Sequence, residues 1–263
     1  MDLKEYFQNH QGFQHKSGIF FQKDFTHPSV FEAHYLSLRG QEGRIYDDQQ
    51  LSLLPVVPRG HPLQMEWSVR KDSANKLASH LRNKRFTNLV EIGCGNGWLL
   101  HYLHDLLDIE CVGIDLNVKE LEQGARVFGN QEGLVFVHVD ILSETFQEAF
   151  ADVIVMASAL QYFPDLASLL NRLLKLLRPS GEIHIIDSPF YTREEALLAK
   201  DRSDNYFRMA GAPDMNNLYF HHTWGSLQNF EHQIMHDPTT LPNKIRRLYL
   251  PKSPFPWIKI SST

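Results

Sequence analysis

Residues 89–97, Leu-Val-Glu-Ile-Gly-Cys-Gly-Asn-Gly, constrain the fold of this chain more than any other stretch. They read as a short buried strand running into a glycine-crowded turn, with Glu91 as the last charged group before it. Glycine lacks a Cβ, so Gly93, Gly95 and Gly97 can take left-handed backbone angles and let a ligand lie against the main chain. A helix starting near Trp98 aims its free amide groups at the same spot. Strand, loop and helix together make a nucleotide-sized cradle. A dinucleotide fingerprint would place its third glycine where Trp98 stands, and a P-loop would need Lys-Ser or Lys-Thr after the glycines, which is absent.

Further strands follow in order. Cys111-Val-Gly-Ile-Asp115-Leu-Asn is an apolar run ending in an acid about twenty residues beyond the glycines. An aspartate there can accept two hydrogen bonds from ribose hydroxyls, with Leu116 offering an apolar face to a base. Leu134-Val-Phe-Val-His-Val-Asp140 is a third strand that also ends in an acid. Either aspartate alone reads equally as a turn or helix-cap residue. Asp152-Val-Ile-Val-Met-Ala-Ser is nearly continuous and apolar, as a parallel strand covered on both faces should be. Residues 166–177 carry apolar positions at helical spacing, and Pro179-Ser-Gly-Glu-Ile-His-Ile-Ile-Asp187 gives a turn and a fifth strand.

The Glu-x-Gly-x-Gly-x-Gly loop resembles motif I of the class I S-adenosylmethionine-dependent methyltransferases, and the Leu-Arg-Pro-x-Gly-Glu passage resembles that family's approach to strand five. The likeness covers about residues 85–190 in detail. It implies an α/β, Rossmann-like doubly wound fold: a seven-stranded, mostly parallel sheet with an antiparallel last strand. It also implies S-adenosylmethionine as cofactor, held by Glu91, Gly93, Cys94, Gly95, Asn96, Gly97, Asp115, Leu116, Asp140, Ile141 and Ala157, with Asp140 toward the adenine amine. The reaction implied is methyl transfer to oxygen, nitrogen or carbon of a small molecule. A non-catalytic relative that binds S-adenosylmethionine or S-adenosylhomocysteine as a regulator or scaffold is the alternative. Trp98 counts against a dehydrogenase on the same scaffold.

The remaining regions are less patterned. Residues 1–65 are rich in aromatics, histidine and turn residues; in the family such an extension commonly forms part of a cap over the cofactor cleft. Residues 66–263 are expected to form the methyltransferase domain, with a cap insertion at about 190–222. A helix is expected over 66–82, another near 193–200, a further one over 224–230, a strand within 232–250 and the last strand over 256–260. His221 and His222, in the presumed cap, are the candidate bases, since histidine titrates near neutral pH; packing or surface roles are the alternative for each. Tyr162, Tyr191 and Arg70 are candidate acceptor contacts, Arg70 with Trp67 alternatively reaching the cofactor's methionine end. Asp187-Ser-Pro-Phe190 resembles the signature of nucleobase-amine methyltransferases, but it follows strand five instead of strand four and lacks the second proline, so it is set aside.

Composition narrows the partners. A net charge of −5 and a pI near 6.3 argue against a nucleic-acid substrate, which relies on a Lys/Arg surplus. No apolar run approaches the ~18 residues needed to cross a bilayer, so no membrane association is expected. The N-terminus has no basic-then-apolar leader pattern. The two cysteines, Cys94 and Cys111, read as small apolar residues. A cytoplasmic home is expected. The histidines form no metalloprotease-like pair, and no metal site is expected. The basic patch at Lys244, Arg246 and Arg247 reads as a solvated face.

Overall fold

The computed structural model describes residues 6–8, 10–23, 29–143 and 146–261. The chain begins with a hairpin of β1 (Phe13–Lys16) and β2 (Ile19–Gln22), joined by Ser17 and Gly18, both at positive φ, as a two-residue hairpin turn of the primed kind requires. Three helices follow: α1 (Ser29–Gln41), α2 (Asp48–Leu53) and α3 (Gln64–Leu81). Strands and helices then alternate as β3 (Asn88–Ile92), α4 (Trp98–Leu107), β4 (Glu110–Asp115), α5 (Val118–Phe128), β5 (Leu134–His138), β6 (Ala151–Ala157), α6 (Leu166–Leu176) and β7 (Leu177–Ile186). The chain closes with α7 (Arg193–Met209), β8 (His232–His236), α8 (Leu241–Arg247) and β9 (Trp257–Ser261).

Among the described residues the nine strands form one sheet in the order β1-β2-β5-β4-β3-β6-β7-β9-β8. The five pairings from β2 to β7 are parallel, and β9 lies antiparallel between β7 and β8. The seven expected strands are therefore present as β3 to β9, with the expected antiparallel last strand. The two additional strands come from the N-terminal segment, which adds to the sheet edge through Ile19 opposite Phe136 as well as supplying helices. β3 is buried along its whole length, and both sheet faces are covered, which is why the parallel strands read as unbroken apolar runs. The helix expected over 224–230 is only a 3₁₀ turn, Trp224–Leu227. A bridge from Tyr191 to Thr223 holds the start of that segment extended, and Gly225 weakens helix formation within it. α7 runs nine residues beyond the stretch read as helical, started by a capping box between Thr192 and Glu195. Among the described residues no helix is long and apolar enough to cross a membrane.

Candidate active site

The chain reverses direction in strand order between β3 and β6, and the glycine loop sits at that switch, at the carboxyl ends of the parallel strands. The loop is held in place by its glycines. A Cβ on Gly93, at φ +72°, would come within 2.6 Å of the Ala159 Cβ; one on Gly97, at φ +75°, would come within 2.4 Å of the Phe136 ring. Gly97 is the residue before α4 and packs against Phe136; it stands outside the cavity that Gly93 and Gly95 floor.

That cavity, about 420 Å³, is walled by Asp115, Leu116, Asn117, Asp140 and Ile141, with Ser158, Ala159 and Tyr162 opposite and Tyr35 of α1 closing one side. Asp115 Oδ2 accepts from the Gly95 amide and Oδ1 from the Asn117 amide, each at 2.7 Å. A carboxylate has about four lone-pair positions, so these two amides leave acceptor capacity for a ligand hydroxyl. Burial raises the Asp115 pKa against the lowering effect of those amides. Glu120 of α5 faces the same space; burial and the nearby Asp115 carboxylate push its pKa up to about 7.

A smaller recess of about 100 Å³ adjoins it and holds Glu91, Cys94, Asn96 and Ala157 together with Arg39, Arg44, Arg70 and Trp98. Glu91 is 3% exposed, and its Oε2 has no hydrogen-bond partner among the described residues. Its pKa stands well above the usual carboxylate range, chiefly through burial and secondarily through Asp115. An orphaned buried carboxylate oxygen calls for a cationic donor. Across the recess, Arg70 donates through Nε to Glu66 (3.0 Å) and lies over the Trp67 ring, while its terminal nitrogens make no hydrogen bond among the described residues. Free guanidinium donors and an orphaned acid in one recess suit the two ends of an amino-acid zwitterion.

A third and largest cavity, about 700 Å³, lies beyond Tyr35, Ser158 and Tyr162, which line it as well as the 420 Å³ cavity. Tyr191, Tyr206, Tyr219, Phe207 and Phe255 give it an aromatic lining, and Arg70 reaches it too. An alternating string of charge edges it: Arg39 to Glu42 (3.3 Å), Glu42 to Arg44 (2.9 Å), Arg44 to Glu66, and Glu66 to Arg70. Tyr206 of α7 donates to Glu42, so the string ties the N-terminal helices to the insertion helix. Asp187 sits on the wall formed at the end of β7. Ser73 Oγ and Ser253 Oγ each donate to its Oδ1 at 2.8 Å, and its Oδ2 makes no hydrogen bond among the described residues. Asp187 and Ser158 end adjacent strands at φ +51° and +53°, and Ser158 Oγ donates to the Asp187 carbonyl (3.0 Å). Two non-glycine residues held left-handed side by side mark a site where the surroundings dictate the backbone. Burial raises the Asp187 pKa, against the lowering effect of the two serines and Arg70.

Of the residues singled out from sequence, Tyr162, Tyr191 and Arg70 line the large cavity. Ten of the eleven cofactor candidates line the smaller cavity or its recess, Gly97 standing behind them. His221 and His222 line none of these spaces. The His222 ring is buried and its Nε2 lies 3.1 Å from the Leu160 carbonyl; His221 Nε2 lies 3.0 Å from Ser203 Oγ, and Ser203 does line the large cavity. Sequence reading passes over Glu120, Tyr35 and Arg39, and it sets Asp187 aside together with its motif. The Tyr35-x-x-x-Arg39 spacing, which puts both side chains on one helix face, was the available signal for that pair.

Near the amino ends of the strands, His80, Glu182 and His184 form a tight group with metal-binding side chains. Trp257 Nε1–H donates to His184 Nδ1 (3.1 Å), which puts the proton of the neutral ring on Nε2, 3.2 Å from Glu182 Oε2. Lys84 donates to the other oxygen of Glu182 at 2.6 Å. With Nδ1 occupied and Nε2 carrying hydrogen, the His184 ring offers no free lone pair, and the group is a filled ion-pair network.

Residues 90–185 match the methyltransferase domain family. The 27-O-demethylrifamycin SV methyltransferase of Amycolatopsis mediterranei is 26% identical over 116 residues, 43% of each chain. A malonyl-[acyl-carrier protein] O-methyltransferase of Acetivibrio thermocellus is 28% identical over 148 residues, covering 53% of this chain and 52% of that one. The chain thus spans about half the length, or less, of these curated relatives. Among solved structures, geranyl diphosphate C-methyltransferase of Streptomyces coelicolor A3(2), in complex with Mg²⁺, geranyl diphosphate and S-adenosyl-L-homocysteine, superposes with a TM-score of 0.56 at 14% identity, over 90% of this chain and 99% of that one. At that identity the likeness concerns the fold.

Proposed function

We propose that this chain, which belongs through residues 90–185 to the class I S-adenosylmethionine-dependent methyltransferases, moves a methyl group to a small-molecule acceptor held in the 700 Å³ cavity. One observation carries the reading: the two cavities share a wall of Tyr35, Ser158 and Tyr162, so ligands in both would meet there. In this reading Asp115 takes the ribose hydroxyls, Leu116 and Ile141 flank the adenine, and Asp140 faces its amine. Glu91 takes the methionine ammonium, and the loop of Gly93, Cys94, Gly95, Asn96 and Gly97, with Ala157, shapes the floor. The acids Glu91, Asp115 and Glu120, spread over the cavity and its adjoining recess, favour a cation, which fits a sulfonium cofactor.

S-adenosylmethionine supplies a methyl on a sulfonium sulfur, an activated leaving group. What the protein adds is alignment, worth up to ~7–11 kcal/mol in well-oriented systems. An acceptor with a hydroxyl or neutral N–H must also lose a proton. The open Asp187 Oδ2 is placed to take it, its partner oxygen fixed by Ser73 and Ser253. His221, reaching the same cavity through Ser203, is a second route for that proton, while His222 is tied to the Leu160 carbonyl. The aromatic lining suits an acceptor with a flat or apolar body.

The test is a transfer assay with methyl-labelled S-adenosylmethionine against a panel of phenols, carboxylic acids and amines, read by mass spectrometry. Labelled product from wild type, slowed at least tenfold in Asp187→Asn with cofactor affinity unchanged, is the expected result. Cofactor binding with no labelled product from any acceptor class would favour the non-catalytic binder.

A further inference from the structure

The stretch from Leu241 to Leu250 is built as an amphipathic segment but turned the wrong way for a core. Leu241, Ile245, Leu248 and Tyr249 stand at i, i+4, i+7 and i+8, the spacing of one helix face. In a helix packed on a protein that face would be buried. Here α8 ends at Arg247 and is prolonged through Leu248 and Tyr249 by a hydrogen-bonded turn; α8 has no buried residue, and Leu241, Leu248 and Tyr249 are 71%, 75% and 81% exposed. Lys244, Arg246 and Arg247 flank the stripe and are exposed as well.

The charge of the chain is partitioned to match. Residues 238–263 hold five cations (Lys244, Arg246, Arg247, Lys252, Lys259) and no acid, against a formal net charge of −5 for the whole chain; Lys252 and Lys259 are paired with Asp72 and Glu182, which leaves Lys244, Arg246 and Arg247 as the exposed cations of this end. The remaining residues therefore carry −10, and an anionic surface would repel the rest of the molecule while attracting this end. A solvated face explains the cations but not four large apolar side chains aligned between them. Apolar stripe, aromatic tip and flanking Lys/Arg are the combination that lies in the interface of an anionic bilayer.

We infer that the 241–250 segment is a peripheral docking surface for anionic lipid. The geometry has a consequence for the large cavity. The chain runs from Leu250 straight into Ser253, which holds Asp187, and into Pro254 and Phe255, which line that cavity. Docking through this segment would set the cavity close to the lipid surface, within reach of amphiphilic molecules. The inference itself stands on the surface alone and does not depend on the methyltransferase reading.

The experiment is co-sedimentation of the full chain with vesicles of phosphatidylcholine alone or of equal parts phosphatidylcholine and phosphatidylglycerol. Binding is expected only with phosphatidylglycerol, and it should fall away between about 0.1 and 1 M salt, as the screening length drops from about 10 to 3 Å. Lys244→Gln and Arg247→Gln should each weaken partitioning about fivefold. Leu248→Ser with Tyr249→Ser should lower it at least as much, and since both side chains are exposed, an unchanged melting curve verifies the fold. No binding to either vesicle at low salt overturns the inference, as does binding that all these variants retain. A concentration-dependent dimer broken by Leu248→Ser, without vesicle binding, would overturn it in favour of a second copy of this chain.

Discussion

Asp115 and Glu120 are neighbouring acids in one pocket with different surroundings. Asp115 is anchored by two main-chain amides, so its remaining lone pairs are fixed in direction. Its replacement by alanine should weaken S-adenosylmethionine binding by roughly 1–3 kcal/mol, the cost of stranding hydrogen-bond partners. Calorimetric titration of a folded Asp115→Ala protein checks this, and an unchanged dissociation constant would remove the ribose role. Glu120 lacks such amides and is held near pH 7 by burial and by Asp115. A proton bound more tightly in the folded than in the unfolded chain stabilises the folded protein below the ordinary glutamate range. That contribution is lost as pH rises toward about 7. A cationic ligand has the opposite preference, because only the ionised carboxylate attracts it. Cofactor affinity should therefore rise between about pH 6 and 8 in wild type, and Glu120→Gln should flatten that rise. Equal pH profiles for the two proteins would show that Glu120 does not sense the ligand. At this scale, the acids that end strands were legible because strand, turn and acid are contiguous. Asp187 was visible too, but its neighbours Ser73 and Ser253 come from 114 residues before it and 66 after it, a meeting that no local pattern records.

Between element and loop, Gly97 shows how a secondary-structure boundary carries the site. It must be left-handed to start α4, and it must lack a Cβ because Phe136 of β5 fills the space. Gly97→Ala should cost about 1–3 kcal/mol of stability from strain and overpacking together, read as a lower urea midpoint. A midpoint equal to wild type would mean that the loop has room to shift. Elements with long patterns were readable: α3, α4, α6 and the strands from β3 to β7 fall where their apolar spacing puts them. The β1–β2 hairpin was not. Its strands have four residues each, and β2 gains its place by pairing with β5 across more than a hundred residues of chain. The segment after Thr223 failed as a helix for a related reason, its start being fixed by a bridge to Tyr191.

As a whole, the molecule places two cavities on either side of one wall, with helices from the N-terminal segment and from the insertion closing over them. The string from Arg39 to Arg70, joined by Tyr206, links those two pieces above the strand ends, together with the packing of Leu38 against Phe207, Ala212 and Met215. Helices of both segments line the 700 Å³ cavity, a property of assembly that neither segment's sequence carries alone. The glycine cradle and its acids are the proposed seat of S-adenosylmethionine. Calorimetric titration of the purified protein with S-adenosylmethionine and S-adenosylhomocysteine, with NAD as control, tests it most directly. Micromolar binding of the first two and none of NAD is expected; binding of NAD alone, or of none of the three, would contradict S-adenosylmethionine as the ligand.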